Sequence, residues 1–207
     1  MNEPGITALF SARLGMWNDR LATEGDYFTA LGNIALANLE APRGIAARMN
    51  EVIAPVVLDR IEALVGVMPT DRIVAGHDIY PVSVTAHGSR AERPIAIADR
   101  VAAYEATAGS WYERYRVPFW VSETSNLSLP VEQGTAWLEA LIASLTSLGD
   151  RGLPERGVCW YSRGDQFDWD SALTVPVGAV TEVGLFDAER KQRPVADAYA
   201  ALAARFA

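Results

Sequence analysis

Apolar residues recur along this chain in two alternating rhythms, and the alternation predicts its layout. Across residues 25–40, Tyr27, Leu31, Ile34, Ala35 and Leu39 fall at helical spacing, with Asp26 placed to cap the start. Pro42 and Gly44 end that helix. A second stripe (Ile45, Met49, Val52, Ile53, Val56, Val57, Ile61, Leu64) predicts a helix over 45–66, kinked at Pro55. The run Arg72-Ile-Val-Ala-Gly predicts a short buried strand, with His77 to Tyr80 at its C-terminal end. A helix over 94–115 follows, its stripe made by Ile97, Val101, Tyr104, Ala108, Trp111 and Tyr112. It leads into the strand Val117-Pro-Phe-Trp-Val-Ser, which ends at Glu123. Residues 131–148 predict an amphipathic helix with Trp137, Leu138, Leu141, Ile142 and Leu145 inward. A strand over 157–161 and a closing helix over 193–206 complete the chain, while residues 5–22 read as irregular. Helix alternating with strand in this way predicts parallel strands joined by helical crossovers.

Repeats and linkers add little. Met1-Asn-Glu recurs as Met49-Asn-Glu, but the second copy falls inside a helical pattern and reads as coincidence. No stretch is long or polar enough to be a flexible linker, so residues 1–207 are expected to form one domain.

Composition then removes whole classes of function. Half of the 207 residues are hydrophobic and 21% are charged, as in an ordinary globular protein with a substantial core. The net charge is −8, and the arginines are scattered around a single lysine, Lys191. No basic stripe is available to neutralise phosphates, which argues against nucleic acid. No apolar run approaches the ~18 residues of a membrane span, so no membrane partner is expected. Cys159 is the sole cysteine, which precludes an internal disulfide and favours a reducing, cytoplasmic location. His77 and His87 are the only histidines and lack partners at ligand spacing, so no metal site is expected. Neither a nucleophile-elbow serine motif nor a phosphate-binding or dinucleotide glycine fingerprint is present.

What remains is a pair of carboxylates, each closing a strand-like segment. Glu3 lies in Asn2-Glu3-Pro4, and Glu123 in Val121-Ser122-Glu123-Thr124. Retaining glycosidases use such a pair about 5 Å apart, one as acid/base and one as nucleophile. In a parallel αβ barrel, functional groups gather at the C-terminal strand ends. By that rule Glu3, His77 to Tyr80, Glu123, and Trp160 with Asp168 and Trp169 all fall on one rim.

Taken together and in order, these motifs resemble glycoside hydrolase family one, the β-glucosidase-type retaining enzymes of the (β/α)8 barrel. Asn2-Glu3-Pro4 is similar to that family's acid/base motif after strand four. Ser122-Glu123-Thr124 stands where its nucleophile closes strand seven. Asp78-Ile79-Tyr80 resembles the end of strand six, whose tyrosine contacts the nucleophile in the family. The segment from Trp160 to Trp169 resembles the tryptophan-rich strand eight, with Asp168 one methylene shorter than the family's sugar-binding glutamate. Val183-Gly-Leu-Phe-Asp, Arg193-Pro and Tyr199 are also family-like.

The resemblance implies a fold and a mechanism. The expected fold class is α/β, a partial (β/α)8 barrel comprising its C-terminal half, from the end of strand four through strand eight. Strand five has no clear counterpart in the sequence. Glu123 would attack the anomeric carbon of a β-linked glycoside or oligosaccharide while Glu3 protonates the leaving oxygen. Asn2 would bond the 2-hydroxyl and Tyr80 would orient Glu123, while Trp160, Asp168 and Trp169 would contact sugar. No cofactor is called for. A half-barrel exposes sheet edges and an apolar interior, so the chain is expected to self-associate or to pair with a missing N-terminal half. The alternative expectation is an inactive half-barrel that serves as a structural or carbohydrate-binding protein.

Overall fold

The computed structural model describes residues 12, 14, 22–30, 74–81, 96–169 and 174–204, together with the backbone of 46–49. The chain divides into two compact units. Met1–Asp78 with Trp111–Ser122 make one, and Ile79–Ser110 with Glu123–Ala207 make the other. Among the described residues the principal strands are β1 (Ala46–Met49), β2 (Val74–Asp78), β3 (Phe119–Thr124) and β4 (Glu155–Trp160), in the sheet order β1-β2-β3-β4. Helix α1 (Ile97–Tyr115) intervenes between β2 and β3, and α2 (Gly134–Asp150) between β3 and β4. A third helix, α3 (Pro194–Ala203), closes the chain. Parallel strands with helical connections are the architecture of a partial (β/α)8 barrel, and the described residues form no closed barrel.

In the first unit, residues 24–30 are helical. Thr23 and Asp26 cap this turn reciprocally. The Asp26 amide donates to Thr23 Oγ1 at 3.1 Å, and the Thr23 amide donates to Asp26 Oδ2 at 3.1 Å. Asp26 therefore caps as the sequence suggests, but from inside the first turn, with Thr23 as the cap residue itself.

The helix expected over 45–66 is not what forms at its start. Ala46–Met49 is a strand, paired in parallel with β2 from Ala46↔Val74 to Met49↔His77. Four ladder positions against a neighbouring backbone outweigh a weak helical preference, because propensity yields to tertiary pairing. This strand lies on the side of β2 away from β3. The rest of the 45–66 stretch lies outside the described residues.

β2 takes in His77 and Asp78, beyond the expected end at Gly76, while Arg72 and Ile73 lie outside the described residues. The Ala75 amide donates to the Pro118 carbonyl at 2.7 Å, fixing β2 beside the entry to β3. The His77 ring stacks on Phe119, with centroids 5.1 Å apart. Burial pushes the His77 pKa down to about 4, so this imidazole is neutral at physiological pH. Asp78 accepts a 2.6 Å hydrogen bond from the buried Ser122 hydroxyl, which satisfies two polar groups that would otherwise be costly to bury.

The second unit is organised around α2. A 3-10 turn, Val131–Gln133, precedes the helix. Trp137, Leu138, Leu141, Leu145 and Leu148 form its buried face. Ile142, expected inward, is only half-buried, because the buried stripe runs through Ser144 instead. Trp137 is fully buried, and its indole N–H donates to Thr124 Oγ1 at 2.8 Å, tying helix to strand. A short antiparallel hairpin, β5 (Gln166–Phe167) with β6 (Val180–Thr181), was not foreseen.

Replacing Trp137 by Phe should cost about 2–4 kcal/mol, since it opens a cavity and strands the Thr124 hydroxyl. Urea denaturation would measure the loss, and a change below about 0.5 kcal/mol would contradict this packing.

Candidate functional site

Parallel pairing brings the ends of neighbouring strands to one rim, and Glu123 stands there as the penultimate residue of β3. Its backbone is held from both sides. The Ile79 amide donates to the Glu123 carbonyl at 2.9 Å, and the Tyr161 amide donates to the Thr124 carbonyl at 2.8 Å. The Glu123 side chain is buried and accepts a 3.0 Å hydrogen bond from the Tyr80 hydroxyl at Oε2. A phenol donating to a carboxylate fixes the rotation of that carboxylate and stabilises its charge.

Tyr80 is anchored in turn. Arg100, in the first turn of α1, is buried and donates from Nε to the Tyr80 carbonyl at 2.7 Å. No local pattern points to this, since an arginine on a helix normally reads as solvated surface. The anchor arises only once the chain turns back from Tyr80 to bring α1 against it.

Trp160, the last residue of β4, is buried, and its indole N–H donates to the Val183 carbonyl at 2.9 Å. The peptide between Tyr161 and Ser162 is cis. The segment that follows is strapped down by the chain returning from β6. Arg193 grips Asp165 with both terminal nitrogens, Nη2 reaching Oδ2 at 2.8 Å and Nη1 bonding Oδ1. Nη1 also donates to the Gly184 carbonyl at 3.0 Å, while the Gly184 amide donates to Asp165 Oδ1 at 3.0 Å. The Asp165 side chain is 2% exposed and that of Arg193 is 10% exposed. Burial alone would raise the Asp165 carboxyl. The Arg193 guanidinium and the Gly184 amide outweigh that and hold it below the usual carboxylate range.

Gly184 is required at this crossing. A Cβ there would lie 2.5 Å from the Asp165 amide nitrogen and closer still to the Gly164 carbonyl carbon. Neither can move without shifting backbone.

Asp168 has a second use for its carboxylate. With φ at 61° it begins the loop between β5 and β6, and its Oδ1 accepts the amides of Val177, Gly178 and Ala179 at 2.6–3.1 Å. Those bonds close the loop on itself. Trp169 follows, half-buried. Tyr80 and Glu123 are thus brought into contact, and Trp160 ends the adjoining strand. Asn2 and Glu3 lie outside the described residues. Among the described residues no group of three or more histidine, cysteine, aspartate or glutamate side chains could hold a metal ion. No described helix is long and apolar enough to cross a membrane.

Parallel strands joined by helices make this chain part of a (β/α)8-type barrel fold, with an anchored glutamate at one strand end. No protein-family model matches it, and no curated protein is similar in sequence. Solved structures do match, and those it resembles are family-one β-glucosidases and β-glycosidases. Fpglu1 of Fervidobacterium pennivoraus aligns with a TM-score of 0.69 at 15% identity, over all of this chain and 56% of that one. The β-glycosidase of Thermosphaera aggregans gives 0.66 at 16% identity, over 99% and 54%. The Thermotoga maritima β-glucosidase, solved in complex with deoxynojirimycin, gives 0.64 at 14% identity, over 98% and 62%. The shared property at such identities is the fold, and this chain spans a little over half the length of those proteins.

Asp165→Asn should destabilise the protein by about 1.5–3 kcal/mol, because it removes the bidentate partner of Arg193 and leaves Glu182, at 3.5 Å, as its remaining carboxylate. The acid limb should change too. A carboxyl with a depressed folded pKa adds stability above its unfolded pKa, and that stability is lost as pH falls through the folded value. Denaturation midpoints from pH 7 to pH 2 should therefore fall less steeply in the variant than in the parent.

Proposed function

We propose that this fold serves the hydrolysis of β-linked glycosides with retention of configuration, with Glu123 as the nucleophile. The observation that carries the reading is the Tyr80–Glu123 hydrogen bond at adjoining strand ends. It supplies a buried carboxylate whose rotamer is fixed by a phenol donor.

In the first step a Glu123 oxygen bonds to the anomeric carbon as the bond to the leaving oxygen breaks, and the Glu3 proton passes to that oxygen. In the second, Glu3 takes a proton from water, water attacks the same carbon, and the glycosyl ester to Glu123 is cleaved. Asn2 is assigned to the 2-hydroxyl by the motif that it shares with Glu3. Trp160 and Trp169 are assigned to the apolar face of the sugar, where aromatic rings stack well. Asp168 is assigned a sugar hydroxyl by the resemblance, and its Oδ1 holds the loop that follows it. Arg100 and the Asp165–Arg193 pair act through other residues, as positioning groups.

A 2-deoxy-2-fluoro-β-glucoside with a dinitrophenyl leaving group tests this directly. Peptide mapping should find the trapped sugar on Glu123, and Glu123→Gln should abolish labelling. Tyr80→Phe should slow labelling about 10²-fold, the usual cost of one well-placed donor. A label on another carboxylate, or labelling that survives Glu123→Gln, would overturn the assignment.

A further inference from the structure

Among the described residues β4 ends the sheet, with β3 on one side and no strand on the other. An open edge exposes a row of backbone donors and acceptors to any strand that meets it. One bond identifies which groups those are. The Tyr161 amide, just beyond β4, donates to the Thr124 carbonyl of β3 at 2.8 Å, so Tyr161 turns its backbone groups towards β3. Successive residues of a strand turn theirs to opposite sides. Trp160 and Val158 therefore face the open edge.

One side chain meets both of them. Tyr199, half-buried on α3, donates its hydroxyl to the Val158 carbonyl at 2.9 Å. The Trp160 amide faces the same oxygen. Burial raises the Tyr199 pKa, and the Trp160 amide works against that by favouring the phenolate. A strand lying parallel beside β4 would set one residue opposite Cys159, donating to the Val158 carbonyl and accepting from the Trp160 amide. A phenol is donor and acceptor in one atom, and the Tyr199 hydroxyl takes up that pair of positions.

We propose that the Tyr199 hydroxyl stands in for a neighbouring strand and bars β4 from pairing with a second copy of this chain. A second copy is the competitor to exclude, because it brings the same unpaired edge at the chain's own concentration. A strand can claim the Val158 carbonyl only by displacing the hydroxyl, which α3 keeps at high local concentration. Arg156 adds to the barrier, since an exposed charge on an edge strand hinders pairing. The self-association expected of an open sheet is thereby restrained at this edge. Tyr199 has no part in glycoside hydrolysis as assigned above, and its contact with β4 stands without it.

Sedimentation velocity of the 207-residue chain over a concentration series tests the proposal. Tyr199→Phe keeps the ring and loses the hydroxyl. It should lower the dissociation constant for self-association about tenfold, the scale of one hydrogen bond. Tyr199→Trp, another aromatic without the phenol, should do the same, so either variant carries the test if the other folds poorly. Val158→Pro in the Tyr199→Phe background should return association to the parent level. It removes an amide that faces the open edge and none that faces β3, a place where a strand tolerates proline. Association through exposed core residues of a loosened variant would survive that proline. Parent and variants that associate equally, or association that persists with Val158→Pro, would overturn the proposal.

Discussion

Successive carbonyls of a β-strand point to opposite sides, and at the end of β3 both sides are occupied. The Glu123 carbonyl accepts from the residue after β2, and the Thr124 carbonyl accepts from the residue after β4. Each neighbouring strand thus contributes one last ladder bond beyond its own regular span. A strand end usually frays, because its outermost groups face water. Here the final two residues are held as firmly as the middle of the strand, and a side chain on such a backbone has little freedom left to lose. The tyrosine that meets the carboxylate then has a single rotamer to fix.

The two faces of β3 divide the work. Ser122 and Thr124 bond to Asp78 and to Trp137. Phe119, Val121 and Glu123 alternate with them on the opposite face, where Phe119 stacks on His77. Every polar group that the strand buries on the first face has a partner, so the apolar packing of α2 is not penalised. A carboxylate is tolerated on the second face because it stands at the strand end, where a donor can reach it. The rule that a buried charge needs a partner explains why Glu123 lies at this position rather than two residues earlier.

Much of this was legible in the amino-acid order. The apolar runs ending at Gly76, Ser122 and Tyr161 announce strands, since each is short, rich in β-branched or aromatic residues and followed by polar groups. The contact between Tyr80 and Glu123 was foreshadowed by motif. The sequence misled at Ala46–Met49, where alanines and a methionine suit a helix as well as a strand and only the backbone of β2 decides. It was silent on Arg100 and on the bond between Asp165 and Arg193, which are 28 residues apart. Pairings of that kind depend on where loops carry the chain, and no local pattern encodes them. The hairpin of β5 and β6 escaped because two-residue strands have no periodicity to detect. Nothing in the neighbourhood of Asp168 hints that three amides converge on its Oδ1.

Gly184 has a consequence for recognising this fold in sequence. At the 13–16% identity that separates this chain from structures of like fold, most matched letters carry little information. A position where backbone meets backbone with no room for a methyl group is different in kind. Any descendant that keeps the crossing of residues 164–165 by 184 must keep glycine there, whatever else it changes. One letter, read at the right distance before an arginine–proline pair, becomes a marker for this wall in sequences too diverged to align.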